Sequence, residues 1–322
     1  MNTSEKGKIK TDTVLKNFWR DNEHFADLFN AALFDGEKVI QPDALEEADT
    51  DISSIIKLNG HTDTLQKILD VVKKSAYGVD FVILGLENQQ HVHYGMPLRV
   101  MLGDALGYYK EYAQIAKKNK EEGHWENTEE FLSGFKSTDR LHPMITICVY
   151  YGEKIWNGPL SLEDMLNIPK ELKPVVNDYR MNLIQVRESE QLKFQNEDVC
   201  TVFEVSRNIF KGDYGKIEDI YRDREIDPEL GIVIGAITES KELINHALEK
   251  RGGKMNMCTA LEELKKEGIQ EGRKEGIQEG KIAGFVEACK SFGETMEATV
   301  ARMRKKCGLS EAEAEACVKK YW

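Results

Sequence analysis

The strongest structural signal in this sequence is an apolar run at residues 81–86, FVILGL. A short run of this kind, rich in branched residues, is typical of a strand buried on both faces of a sheet. It stops abruptly at Glu87, Asn88 and Gln89. Because side chains alternate along a strand, we expect Glu87 and Gln89 on one face and Asn88 on the other.

A second strand is predicted just upstream, where Asp70 precedes the residues VVKK at 71–74. The intervening residues 75–78, SAYG, have the length and the glycine of a hairpin loop. Antiparallel pairing of the two strands would bring Asp70 toward Glu87. Two acids and the nearby Gln89 form a candidate metal site, although polar residues at strand ends are more often solvated surface.

The neighbouring segments extend this hairpin into an alternating pattern. Pro97 stands where a helix would begin, and apolar spacing predicts that this helix reaches about Lys118. A strong helix between two strands favours a parallel crossover onto one sheet. The predicted strands, besides the hairpin, are residues 52–58, 145–151 and the edge strand 181–186.

Helical spacing is predicted on both sides of these strands. Residues 13–34 give two helices with a break at Asp21 and Asn22, and a short helix is predicted to start at Pro42 and reach Glu47. Residues 197–250 are again helical in spacing. The last segment, residues 285–322, is predicted to be helical with Ser310 as a cap.

A four-residue repeat of glycine runs through the tail, at positions 268, 272, 276, 280 and 284. Glycine costs about 1 kcal/mol per helical site relative to alanine. A helix that carries five of them needs compensation, for which close approach of a partner helix is one source. A charged connector of marginal helicity is the alternative.

The composition, with 41% hydrophobic and 31% charged residues, is that of a folded helical protein without a membrane span or signal peptide. Six widely spaced cysteines lack zinc-site spacing, and we expect them to be thiols in a reducing cytosol. The net charge of −12 argues against a protein that coats nucleic acid over its whole surface. It does not exclude a local basic groove or metal-dependent phosphodiester chemistry.

Several ordered segments closely resemble one bacterial family, the recombination-promoting nucleases, also called YhgA-like transposases, within the PD-(D/E)XK nuclease superfamily. The resemblance covers about residues 15–190, and the glycine-rich tail is also typical of that family. The segments are FADLFNA at 25–31, DVVKK at 70–74, LGLENQ at 84–89, YGMPLRVML at 94–102, ICVYYGEKIWNGP at 147–159 and VNDYRMNL at 176–183.

The resemblance implies an α/β fold with a restriction-endonuclease-like core, in which helices flank a mixed central sheet in the order α-β-β-β-α-β, followed by a helical C-terminal region. It implies that Asp70 and Glu87 bind a divalent metal, most simply Mg²⁺. Gln89 stands where the superfamily usually has lysine, and the family is known to use E-x-Q. Leu69 departs from the arginine that commonly precedes the aspartate.

The implied chemistry is hydrolysis of DNA phosphodiester bonds, for which a bound Mg²⁺ supplies charge neutralisation and a water of lowered pKa. Carboxylates suit this ion, and Gln89 could orient the attacking water or contact the phosphate. Further candidates have simpler explanations as solvated surface or core packing. They are a histidine pair (His91, His93), first-helix acids (Asp21, Asp27), helix cations (Arg99, Lys110, Lys117, Lys118, Lys120) and Asp104.

We therefore expect a cytoplasmic, Mg²⁺-dependent DNA endonuclease associated with recombination or mobile elements. The predicted organisation is a nuclease-like domain at 1–195, a helical extension at 196–255 and a tail at 256–322 that forms homo-oligomers. The alternative is a catalytically weak DNA-binding or regulatory protein that assembles through its C-terminal helices. A structural oligomer whose function lies in the tail is a third possibility.

Overall fold

A computed structural model gives the structure of the protein over residues 11–47, 71–75, 80–85, 92–307 and 310–322. Its contacts divide the chain into two compact units, Met1–Ala260 and Leu261–Trp322. None of the described helices combines the length and the apolar character that crossing a membrane requires. No disulfide joins the cysteines whose side chains are described.

The first unit begins with two helices, α1 (Thr11–Arg20) and α2 (Asn22–Leu33). Asp21 separates them because its side chain accepts the backbone N–H groups of Glu23 and His24, at 2.8 and 3.1 Å, and so caps α2. The predicted break at this point is confirmed.

A sheet of five short strands follows in spatial order: β1 (Leu45–Glu47), β2 (Val71–Ser75), β3 (Asp80–Gly85), β4 (Met144–Tyr150) and β5 (Asn182–Gln185). β1, β2 and β3 pair antiparallel, whereas β3, β4 and β5 pair parallel. The predicted hairpin pairing, the parallel crossover and the edge strand are therefore confirmed among the described residues. The predicted strand at 52–58 lies outside them.

The crossover between β3 and β4 is a long helix, α3 (Met96–Glu122), followed by a short one, α4 (Thr128–Ser133). α3 packs on one face of the sheet through a cluster of buried side chains. The cluster contains Val72, Met96, Val100, Leu106, Cys148, Tyr150, Trp156 and Met181.

The rest of the first unit is mainly helical: α5 (Glu197–Lys211), α6 (Tyr214–Tyr221), α7 (Pro228–Ile237) and α8 (Lys241–Glu249). Two strands of two residues each, β6 (Glu225–Ile226) and β7 (Met255–Asn256), pair antiparallel in the same unit. The predicted helical stretch at 197–250 is confirmed. Every apolar side chain of α7 is buried.

The C-terminal helices are α9 (Met257–Ser291), α10 (Met296–Cys307) and α11 (Glu311–Tyr321). The second unit has its own small core of Val286, Met303, Ala314 and Val318. Ser310 and Glu313 form a reciprocal capping box at the start of α11, which confirms the predicted cap. All five repeat glycines lie within α9.

Two sequence-based predictions are wrong. The structure is 60% helix and 9% strand, so it is a mostly helical protein and does not have the predicted α/β fold class with a restriction-endonuclease-like core. The short helix predicted to run from Pro42 to Glu47 is a single turn, Pro42–Ala44, after which β1 pairs with β2. Strand pairing outweighs the helix-forming tendency of the glutamates there.

Candidate functional site

The residues of the predicted metal site, Asp70, Glu87 and Gln89, lie outside the described residues, as do Leu69 and His91. The structure therefore describes the strands on which the site depends and not the site itself. β2 begins at the residue after Asp70, and β3 ends two residues before Glu87.

The described strands define one edge of the sheet at this point. Val71 pairs with Ile83, so the start of β2 lies beside the end of β3. Because β3, β4 and β5 are parallel, their carboxyl ends at Gly85, Tyr150 and Gln185 meet at the same edge. We call this the carboxyl edge. In sheets with parallel strands, ligands bind outside such an edge.

Aromatic side chains and hydrogen bonds order the carboxyl edge. The Gln185 side chain accepts the backbone N–H of Trp156 at 2.6 Å, and the Trp156 ring meets Tyr150 edge-on at 5.2 Å. The Trp19 indole donates to the Tyr151 hydroxyl at 2.7 Å. The Tyr150 hydroxyl is buried without a hydrogen-bond partner in the described structure, and burial raises its pKa.

The approach to α3 carries a histidine and an arginine. Burial lowers the pKa of His93, and the positive charge of Arg99 lowers it further. A histidine whose protonated form is disfavoured is suited to accept a hydrogen bond or to bind a metal. However, no group of three His, Cys, Asp or Glu side chains that could hold a metal occurs in the described parts of the chain.

The two acids predicted on the first helix, Asp21 and Asp27, belong to α2 and its cap, and both have structural contacts. Asp21 caps α2, as described above. Asp27 is buried, and its Oδ1 accepts the backbone N–H of Gln195 at 2.8 Å, which ties α2 to the start of α5. Burial raises the pKa of Asp27, and its Oδ2 has no partner in the described structure. Neither acid belongs to a described metal-binding group.

Two of the cations predicted on α3, Lys117 and Lys118, pair with acids of the same helix. Lys117 and Lys118 lie 3.9 Å from Glu121 and Glu122, one helical turn further on, and their side chains are more than 70% exposed. This arrangement is that of a solvated helix face. Arg99 differs because it is half-buried near the start of α3.

Asp104 is buried inside the first unit, as packing within the core predicted. Its two carboxylate oxygens accept the hydroxyl groups of Thr146 on β4 and Tyr179. Burial raises the pKa of Asp104. The Asp104 carboxylate links α3 to β4 and to the segment before β5. Its role is therefore structural.

Lys73 is a buried charged residue on β2 that the sequence reasoning missed. It is fully buried on β2, where its ammonium donates to the backbone oxygen of Arg20 and to Asn22 Oδ1, 5.4 Å from the Phe25 ring centroid. Burial lowers its pKa, opposed mainly by the charge of Glu47. The available signal was strand alternation, which puts Lys73 and Lys74 on opposite faces.

Comparison with known proteins adds no relative: no family model, no curated protein and no solved structure matches this chain.

Proposed function

We propose that this protein is a metal-dependent DNA endonuclease that hydrolyses phosphodiester bonds at the carboxyl edge, with a role in recombination or mobile elements. The observation that carries the proposal is the β2–β3 register, in which Val71 lies opposite Ile83. Each residue spans at most about 3.6 Å of chain. Asp70 is bonded to Val71, and Glu87 follows Gly85 by two residues, so the chain is short enough for both carboxylates to reach this edge.

The donor set fits a hard divalent cation. Asp70 and Glu87 offer the carboxylate oxygens that Mg²⁺ prefers, and they would hold the ion. When bound, Mg²⁺ neutralises phosphate charge and lowers the pKa of a coordinated water. The Gln89 amide would orient the attacking water or hydrogen-bond to the phosphate. Arg99, near the start of α3, would add a positive charge that favours a phosphate.

The experiment that tests this proposal measures nicking and cutting of supercoiled plasmid DNA by the full chain, with and without Mg²⁺. We expect Mg²⁺-dependent cleavage that falls at least 100-fold in Asp70→Asn and Glu87→Gln. The matched control is Asp219→Asn, since the Asp219 side chain is 80% exposed on α6. Unchanged cleavage in both site variants would remove Asp70 and Glu87 from the mechanism.

A second function, that of a catalytically weak DNA-binding or regulatory protein, is favoured by one observation. Lys117 and Lys118 on the outer part of α3 pair with glutamates of that helix, which reduces the positive charge available there to hold DNA for cleavage. Under this alternative the protein assembles through its C-terminal helices. The exposed side chains of Ile269 and Ile277 on α9, at 62% and 51%, support that assembly.

The same preparation decides between the two functions. Mg²⁺ binding measured by titration calorimetry, lost in Glu87→Gln together with cleavage, supports the endonuclease. DNA binding without cleavage and without Mg²⁺ binding at millimolar concentration supports the alternative.

A further inference from the structure

The outer face of α3 carries apolar side chains that nothing in the described structure covers. α3 buries Met96 and Val100 against the sheet. On its opposite face, Leu98, Leu102 and Tyr109 are 47%, 40% and 53% exposed, and Ala105 between them is also exposed. Their spacing of four, three and four residues places all four on one side of the helix. We call this set the outer stripe.

The outer stripe lacks the charges that normally solvate a helix face. Between Tyr94 and Tyr109 the sequence has only two charged residues, Arg99 and Asp104, in a chain that is 31% charged. Asp104 is buried on the inner side of α3. Arg99 lies beside the stripe, about 100° around the helix from Leu98. A solvent-exposed helix face normally carries charged residues.

Further along α3, the chain covers the same face itself. Tyr112 donates its hydroxyl to the Ser133 backbone oxygen and lies 5.8 Å, between ring centroids, from Phe135. Gly134 approaches so closely that a Cβ there would sit 3.0 Å from the Ala116 Cβ. Tyr112 and Ala116 continue the heptad spacing of the outer stripe. At Tyr112 and Ala116, the same face of α3 is therefore packed against residues 133–135 of this chain.

We propose that a second copy of this chain covers the outer stripe, with the two α3 helices antiparallel about a two-fold axis between Leu102 and Ala105. This alignment sets Leu102 of one copy against Ala105 of the other, and Leu98 against Tyr109. Large side chains then meet small ones near the axis, which is how helix pairs pack closely. Arg99 of one copy faces the uncharged Tyr108 of the other, so no like charges meet.

The size of the stripe fits a weak dimer. With Tyr94, which is 62% exposed, the exposed stripe side chains amount to on the order of 400 Å² per copy, a size at which the largest apolar patch of a protein is often functional. Two such patches with their margins approach the lower limit of about 1,000 Å² for a specific interface. The inference is independent of the proposed nuclease activity and of assembly through the C-terminal helices.

The test is the mass of the full chain by sedimentation equilibrium from about 1 to about 500 μM, because an interface below about 1,000 Å² in total belongs to the weak class. We expect concentration-dependent association of wild type, and a twofold lower limiting mass in Leu102→Glu. Leu172→Glu, at a residue 51% exposed in the connection between β4 and β5, is the matched control and should associate like wild type.

A second variant, Leu98→Lys, keeps the test decisive if Leu102→Glu does not fold, as judged by circular dichroism. It should lower the limiting mass in the same way. A monomeric wild type, or a limiting mass unchanged in a folded stripe variant, overturns the proposal.

Discussion

At the scale of single residues, three of the charged side chains that the described structure holds in its interior join separate elements. Lys73 joins β2 to the α1–α2 junction, Asp27 joins α2 to the start of α5, and Asp104 joins α3 to β4. A buried charge is costly unless it is hydrogen-bonded, so each site fixes the position of its neighbours. Lys73 holds β2 against the α1–α2 junction and Asp104 holds α3 against β4, whereas Asp27 holds α2 against the start of α5.

Asp104 gives a pH prediction with a definite sign. Burial raises its pKa in the folded protein above the ordinary value of 3.8, more than its two hydroxyl donors lower it. The folded state thus holds this proton more tightly than the unfolded chain. The resulting stability is fully present below pH 3.8 and is lost as the pH rises through the folded pKa.

Asp104→Asn removes this titration. The free energy of unfolding of wild type minus that of Asp104→Asn should therefore fall as the pH rises from 3.8. Urea unfolding at a series of pH values measures the difference. A difference that stays constant or rises with pH would show that the folded state does not favour the protonated acid.

At the scale of elements, the turn after α2 depends on a glycine that two constraints impose together. Gly36 has φ +85°, and a Cβ there would lie 2.5 Å from the Lys193 backbone oxygen. The positive φ disfavours any L-residue. The short distance to Lys193 is a clash with backbone, which cannot move aside cheaply. Gly212, which ends α5 with φ +68°, has the first constraint alone, since nothing lies within 4 Å of its Cβ position.

This pair makes a controlled comparison. Gly36→Ala should lower the free energy of unfolding by about 3 kcal/mol, the sum of a left-handed backbone cost and an overpacking cost. Gly212→Ala should lower it by about 1 kcal/mol, from the backbone cost alone. Urea unfolding of both variants checks this, and equal losses would mean that the approach of Lys193 is not close.

The elements also show which helix caps and strands could be predicted from the sequence and which could not. Local signals, such as the cap at Asp21, the β2–β3 hairpin and the capping box at Ser310, were predictable because the residues that cause them are neighbours in sequence. β1 was not, because its pairing partner β2 lies more than twenty residues away and outweighs the local helix preference.

The candidate site follows the same rule. Its strands and the edge they share were predictable from an apolar run and its polar end. The burial of Lys73 was not, because the helices that cover it are distant in sequence.

At the scale of the whole molecule, helices outweigh the sheet because most of the chain outside it has helical spacing, including α9, which runs from Met257 to Ser291. The sheet remains the element that gathers strand ends at one edge. Each of the two units has its own buried core, so each can be destabilised by changing its own residues. The second unit is the smaller, and small cores leave a narrow margin of stability.

Met303 tests whether the second unit unfolds by itself. It is 1% exposed in a core whose other buried members are Val286, Ala314 and Val318. Met303→Ala should cost about 2–4 kcal/mol through lost burial and a cavity, a large share of the stability of so small a unit. Hydrogen exchange should then show lost protection in α10 and α11, while β4 keeps its protection.

Met303→Leu is the matched control, because it preserves volume and should cost less than about 1.5 kcal/mol. Protection lost in β4 as well as in α10 would mean that the chain unfolds as one cooperative body. Protection retained in α10 would place Met303 outside the core of that unit. The expected result, loss confined to the second unit, would allow its helices to be altered without disturbing the carboxyl edge.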